Sequence, residues 1–131
     1  MRKLEWNVQY SVGVPKIDQQ HAYLFELAQM LVKHIDEKEI LNKTITELYR
    51  YVEQHFAYEE SVMEKAHYGD LENHRKAHTL MRTRLELLAG QLKQGVLHRG
   101  ELVAFMENWL TIHILGEDMK YVSAVAALNV D

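Results

Sequence analysis

The residues best placed to do chemistry are histidines. In Asn73-His74-Arg75-Lys76-Ala77-His78 two of them stand four apart, which on an α-helix sets the side chains about 40° apart, one turn above the other. Both rings then point the same way and can grip one metal ion. They belong to the series Leu71, His74, His78, Met81, Leu85, Leu88, Leu92, which alternates steps of three and four without a break. That is the face a helix turns toward its neighbours. Imidazoles at core positions are costly without partners, so their placement needs a reason.

The same pattern recurs in three other stretches. Ile17, His21, Leu24, Ala28, Leu31 and Ile35 form the inner face of a first helix over about 18–36, with Asp18 as its cap and Pro15 closing the segment before it. Ile45, Leu48, Val52, His55, Glu59 and Val62 form that of a second helix over about 40–65. The histidine pair lies on a third helix, about 70–94, which Asp70 can cap. A fourth, about 100–120, turns Leu102, Phe105 or Met106, Trp109 and His113 inward. Val8, Tyr10, Val12 and Val14 alternate in the first sixteen residues, but no partner strand is evident. We read an extended arm laid over the helices, with Trp6 as an anchor. The apolar stretch Val122 to Val130 reads as a short last helix or a docked segment. The whole predicts an all-α fold, an up-down-up-down antiparallel four-helix bundle with an N-terminal extended arm, as one domain over 1–131.

In such a bundle the start of one helix meets the end of the next. His21 is early in the first helix, and His55 and Glu59 are late in the second. His74 and His78 are early in the third, and His113 and Asp118 are late in the fourth. All seven side chains therefore converge at one end. Five rings cannot all find backbone partners where the backbone groups are already paired, and two acids beside them point to metal. The five-residue step from His113 to Asp118 turns roughly 140° on a regular α-helix, so the two would face apart. Gly116 lies between them, and we expect a π-bulge or a helix-end turn there that re-aims Asp118 inward.

With Val12-Gly13 followed by Ile17-Asp18-Gln19-Gln20-His21, then His55-Phe56-Ala57-Tyr58-Glu59, His74-x-x-x-His78 and His113-x-x-x-x-Asp118, the chain resembles the hemerythrin family, bacteriohemerythrins in particular, over nearly its full length. The resemblance implies two iron ions bridged by Glu59, Asp118 and a solvent-derived oxo or hydroxo oxygen. It implies that His74, His78 and His113 bind one iron and His21 and His55 the other, which leaves one coordination position open on the second. It implies dioxygen as the ligand, no catalysis, and a role in oxygen transport or storage, with delivery to an oxygen-consuming oxidase or oxygenase. A sensor of oxygen or iron acting through a partner protein is the alternative, as is a di-iron oxidase or a peroxide- or nitric-oxide-handling protein. An oxygen pocket must be apolar and nearly dry. The candidates for its lining are Leu24, Phe25, Phe56, Trp109, Ile112, Leu115 and Met119. Gln20, Tyr58, Glu60 and Tyr121 are near enough in sequence to orient ligand rings. His34, His67 and His98 read as solvated, and the pair Glu64 and His67 as incidental.

Composition narrows the field. The 131 residues are 47% hydrophobic and 26% charged, with net charge -4, and no basic run suggests a nucleic-acid partner. No cysteine occurs, so a metal must live on imidazole and carboxylate, which suits iron, zinc or manganese. No secretion signal or membrane-spanning apolar run is visible, which places the expected monomer in the cytoplasm. Phosphate loops and the His-Glu-x-x-His zinc motif are absent.

Overall fold

Each of the four periodic stretches is a helix in the computed structural model, which describes residues 4–122 and 124. Side chains at 115–117 and 119 lie outside the described residues, as does most of the stretch expected to form a last helix. The helices are α1 (Pro15–Lys33), α2 (Lys38–Lys65), α3 (Leu71–Gln94) and α4 (Arg99–Thr111), joined by short turns. Helix α1 packs beside α2 and α4, and α2 beside α3. No strand occurs among the described residues. The predicted inner faces are the buried ones. Leu24, Ala28, Leu31, Ile45, Leu48, Val52, Leu85, Leu88, Leu92, Leu102 and Met106 fill one continuous core, while Phe105 is only half-buried against it. Helix α3 stops at Gly95, whose φ of +72° is the left-handed turn glycine adopts freely.

The first helix starts earlier than Asp18. Pro15 occupies its first turn, where a missing N–H costs nothing and the fixed φ suits the helix. Asp18 therefore does not cap α1. Its carboxylate reaches back to accept from the Ser11 hydroxyl at 2.6 Å and the Val12 N–H at 2.9 Å, which locks the arm. Asp70 does sit at the N-cap of α3, where its carbonyl accepts from the His74 N–H at 3.1 Å, but its side chain makes no capping bond and accepts from the Asn73 amide at 2.6 Å instead. The alternating valines are not a strand. Val8–Tyr10 is a single 3-10 turn with Val8 exposed, and Val12 and Val14 are buried. Trp6 and Tyr10 pack on the main core, so the anchoring role expected of Trp6 is shared.

Val12, Val14 and Ile17 join Val62, Met63 and Tyr121 in a second, smaller core. It lies where α1 begins and α2 ends, the end to which the histidines converge. Asp18→Ala removes both bonds that hold the arm there. We expect a loss of about 1.5–3 kcal/mol, the range for hydrogen bonds to charged groups, read as a lower denaturation midpoint in urea with an unchanged slope.

Candidate metal centre

The seven singled-out side chains meet in one place. His21, His55, Glu59, His78 and Asp118 are 0% exposed, and His74 and His113 only 2% and 1%. Their donor atoms form two overlapping clusters, one of His21, His55, Glu59, His113 and Asp118 and one of Glu59, His74, His78, His113 and Asp118. Within each, the donor atoms lie within 4.8 Å of one another.

Glu59 is the centre of the arrangement. Its Oε1 is 3.4 Å from His74 Nε2, 2.8 Å from His78 Nε2 and 3.5 Å from His113 Nε2. Its Oε2 is 3.4 Å from His21 Nε2 and 3.5 Å from His55 Nε2. One carboxylate thus divides five imidazoles three to two. Asp118 does not divide them as cleanly: Oδ2 faces His21 at 2.9 Å and His113 at 3.0 Å, and Oδ1 faces His74 at 3.2 Å.

His78 Nε2 is hydrogen-bonded to Glu59 Oε1; the other pairs are close but have no such bond among the described residues. The Nε2 atoms of His21, His55, His74 and His113 and both oxygens of Asp118 are buried with no hydrogen-bond partner. Nitrogen and oxygen approach without an N–H direction between them, as when both are aimed at a third point. Two donors each about 2.1 Å from one ion at right angles stand about 3.0 Å apart, close to the separations above. Imidazole and carboxylate are also the donors that iron accepts. The residues fit a pair of cations, which would satisfy these orphaned atoms.

Asp118 takes part because the fourth helix changes pitch. Ile112–Glu117 is π-helical, and Asp118–Tyr121 is a 3-10 turn. The Asp118 N–H reaches the His113 carbonyl five residues back, so each turn closes one residue later and both side chains share a face. The sequence expectation at this point is met.

Ring orientation is fixed from behind at two histidines. His55 Nδ1 donates to Gln20 Oε1 at 2.7 Å, and His78 Nδ1 donates to Glu60 Oε2 at 2.7 Å. Tyr121 donates its hydroxyl to Glu59 Oε2 at 3.0 Å. Of the four residues considered for such roles, Tyr58 alone turns away, with Lys16 Nζ 4.4 Å from its ring centroid. Sequence reading missed Arg75, whose Nε is 3.4 Å from Glu60 Oε1. Its position one residue after His74 carried no signal.

Burial and the two carboxylates compete to set the charge of each imidazole. Burial alone would lower the pKa of His113, but Asp118 and Glu59 outweigh it and hold it at about 10. The same balance raises His74 to about 9 and also raises His21. At His55 burial wins and pushes the pKa down to about 3. Burial opposes ionisation of Glu59 and Asp118, yet the imidazoles keep both carboxyls below the usual range. Burial, and then the Glu59 charge, push the Tyr121 phenol well up, so it remains a donor.

Of the expected pocket lining, Leu24, Phe25, Phe56 and Trp109 are buried. Phe56 stacks on His78, centroids 3.8 Å apart and planes within 7°. The Trp109 indole donates to the Met81 carbonyl at 3.2 Å. Ile112 is 53% exposed and lines a surface groove of about 230 Å³ between α3 and α4 with Leu80, Arg84, Trp109 and His113. Leu110 and Ile114, near His113 in sequence, are fully buried. The side chains of Leu115 and Met119 are outside the described residues. His67 and His98 are exposed, and His34 is half-buried with its Nδ1 3.1 Å from Glu37. Glu64 lies 3.6 Å from Arg75, away from the centre.

Comparison with known proteins agrees with this geometry. The model of the hemerythrin HHE cation binding domain matches residues 12–125. A bacteriohemerythrin of Pseudomonas paraeruginosa is 33% identical over 127 residues, covering 95% of this chain and 83% of the relative. A myohemerythrin of Theromyzon tessulatum is 31% identical over 117 residues, 89% of each chain. A wild-type hemerythrin crystal structure superposes with a TM-score of 0.80 at 24% identity, over 92% of this chain and 96% of the other; at that identity it speaks to the fold alone.

Proposed function

The chain belongs to the hemerythrin family, and on that premise we propose that it binds dioxygen reversibly at a non-haem di-iron centre. The released oxygen would serve transport, storage or delivery to an oxygen-consuming oxidase or oxygenase. The observation that carries the proposal is the division of the imidazoles at Glu59, three facing Oε1 and two facing Oε2. A carboxylate shared in this way suits two cations, one to each oxygen. We assign His74, His78 and His113 to one iron, His21 and His55 to the other, and Glu59 and Asp118 to both.

When bound, an iron pair would supply two electrons to dioxygen, with His21 and His55 holding the iron we propose it reaches. The protein does the rest. Tyr121 holds Glu59 Oε2 in place, and Gln20 and Glu60 hold His55 and His78 with Nε2 turned inward. Leu24, Phe25, Phe56, Trp109, Leu110 and Ile114, all buried, are the lining we propose to exclude water, with Leu115 and Met119 as further candidates. A dry site favours release of the ligand as dioxygen over its loss as a protonated product.

The test is an absorption cycle on the iron-loaded protein, reduced without air, exposed to air and then degassed. A charge-transfer band that appears and disappears supports the carrier reading. One-way conversion to the ferric form would sink it in favour of a sensor or an oxidase.

A pH dependence follows from the ligand pKa values. His113 at about 10 and His74 at about 9 carry protons at neutral pH in the metal-free protein, and a ligating Nε2 cannot. Metal uptake at pH 7.5 should therefore release about two protons per chain from this pair. Apparent affinity should rise as the pH climbs from 7 toward 10, because protons compete less. An indicator dye in weak buffer reads the first, and metal titrations at several pH values the second.

A further inference from the structure

Among the described residues, of the five inward histidines only His55 and His78 have a hydrogen-bond partner on Nδ1; those of His21, His74 and His113 are buried without one. The two partners differ in charge. Gln20 offers His55 a neutral amide oxygen from a buried side chain. Glu60 offers His78 a carboxylate, backed by Arg75 at 3.4 Å. His78 is further clamped by Phe56, stacked on its face, and Arg82 lies 5.0 Å from the centroid of the Phe56 ring. An anionic acceptor behind an imidazole draws its Nδ1 proton and raises electron density at Nε2, more than an amide does.

We infer that Glu60 and Gln20 are positioning residues that make the two metal positions unequal, Glu60 tightening the position His78 serves and Gln20 leaving that of His55 looser. The inference rests on the assignment of His78 and His55 to different metals. It gives the two positions separate settings: one retains its metal, and the other, where the ligand enters, stays weakly held and easily reduced. The charge behind the ring sets this difference, over and above the count of three imidazoles against two.

The experiment is metal release from the iron-loaded protein to excess chelator, with the reduction potential of the pair measured on the same samples. The wild type should lose its metal in two phases. Glu60→Gln removes the charge and keeps the shape. It should speed the slow phase about ten- to a hundredfold, the usual cost of losing such a partner, leave the fast phase unchanged and raise the potential. Gln20→Glu should slow the fast phase and lower the potential. Opposite signs from two near-isosteric changes are not what a packing role produces. Glu60 is partly exposed, its side chain 21% accessible, so E60Q carries the test whatever Q20E does to folding. If E60Q moves neither the slow phase nor the potential while the wild type still holds two irons, the inference fails and the di-iron reading stands. If E60Q speeds the fast phase instead, the division of ligands between the metals is wrong. A wild type that never holds two irons would overturn both.

Discussion

Glu59→Gln should strip the protein of both irons while leaving its shape almost unchanged. The substitution is isosteric, so packing around a fully buried side chain is preserved. What disappears is the charge that faces five imidazoles, from 2.8 Å at His78 to 3.5 Å at His55 and His113. An amide presents one oxygen and one NH2, and the NH2 cannot ligate. One of the two positions then meets a donor where it needs an acceptor, and the shared bridge is gone for both. Iron affinity should fall more than a hundredfold, beyond the range for losing an outer partner. The metal-free protein should suffer as well. His74 and His113, with pKa values of about 9 and 10, owe their charge to Glu59 and Asp118, and breaking a buried ion pair on one side costs about 3–5 kcal/mol. Iron analysis and thermal melts with and without chelator separate the two effects. Two irons per chain in this variant would contradict the central role of Glu59.

Phe56→Ala is the second large effect, and it joins packing to function. The ring is 0% exposed and neighbours three of the proposed ligands, with centroids 3.8 Å from His78, 5.6 Å from His113 and 5.9 Å from His55. Truncating a buried phenylalanine costs about 3–5 kcal/mol through lost transfer energy and the cavity left behind. For a chain of this size the melting temperature should drop by roughly 10–20 °C. The cavity would open against the metal ligands, where water does harm. The oxygenated protein should therefore oxidise irreversibly about ten times faster or more. Leu88→Ala, in the same core but on the far stretch of α3, is the control. It should lose comparable stability and keep the wild-type oxidation rate. Equal acceleration in both variants would trace the effect to loosened folding and not to the wall that Phe56 forms.

Much of this was legible in the sequence because one helical period runs through it. Steps of three and four mark the inner faces, and the same steps carry His21, His55, Glu59, His74 and His78, so fold and site come from one pattern. Even the departure at His113 and Asp118 was readable, since a five-residue step beside Gly116 asks for a wider turn, and Ile112–Glu117 is π-helical. Helix ends were less legible because competing bonds decide them. Asp18 and Asp70 are good cap residues by type, but each finds a side-chain or arm partner instead. The residues behind the ligands could be shortlisted but not chosen. Whether Glu60 or Tyr58 meets His78 depends on contacts between α2 and α3 that no local period encodes.

The most direct test of the dinuclear centre is an anaerobic titration of the metal-free protein with ferrous iron, followed to saturation and checked by iron analysis after desalting. The arrangement around Glu59 predicts saturation at two irons per chain, with His78→Ala falling well short of that. Saturation at one iron, no uptake, or undiminished two-iron binding in His78→Ala would contradict it.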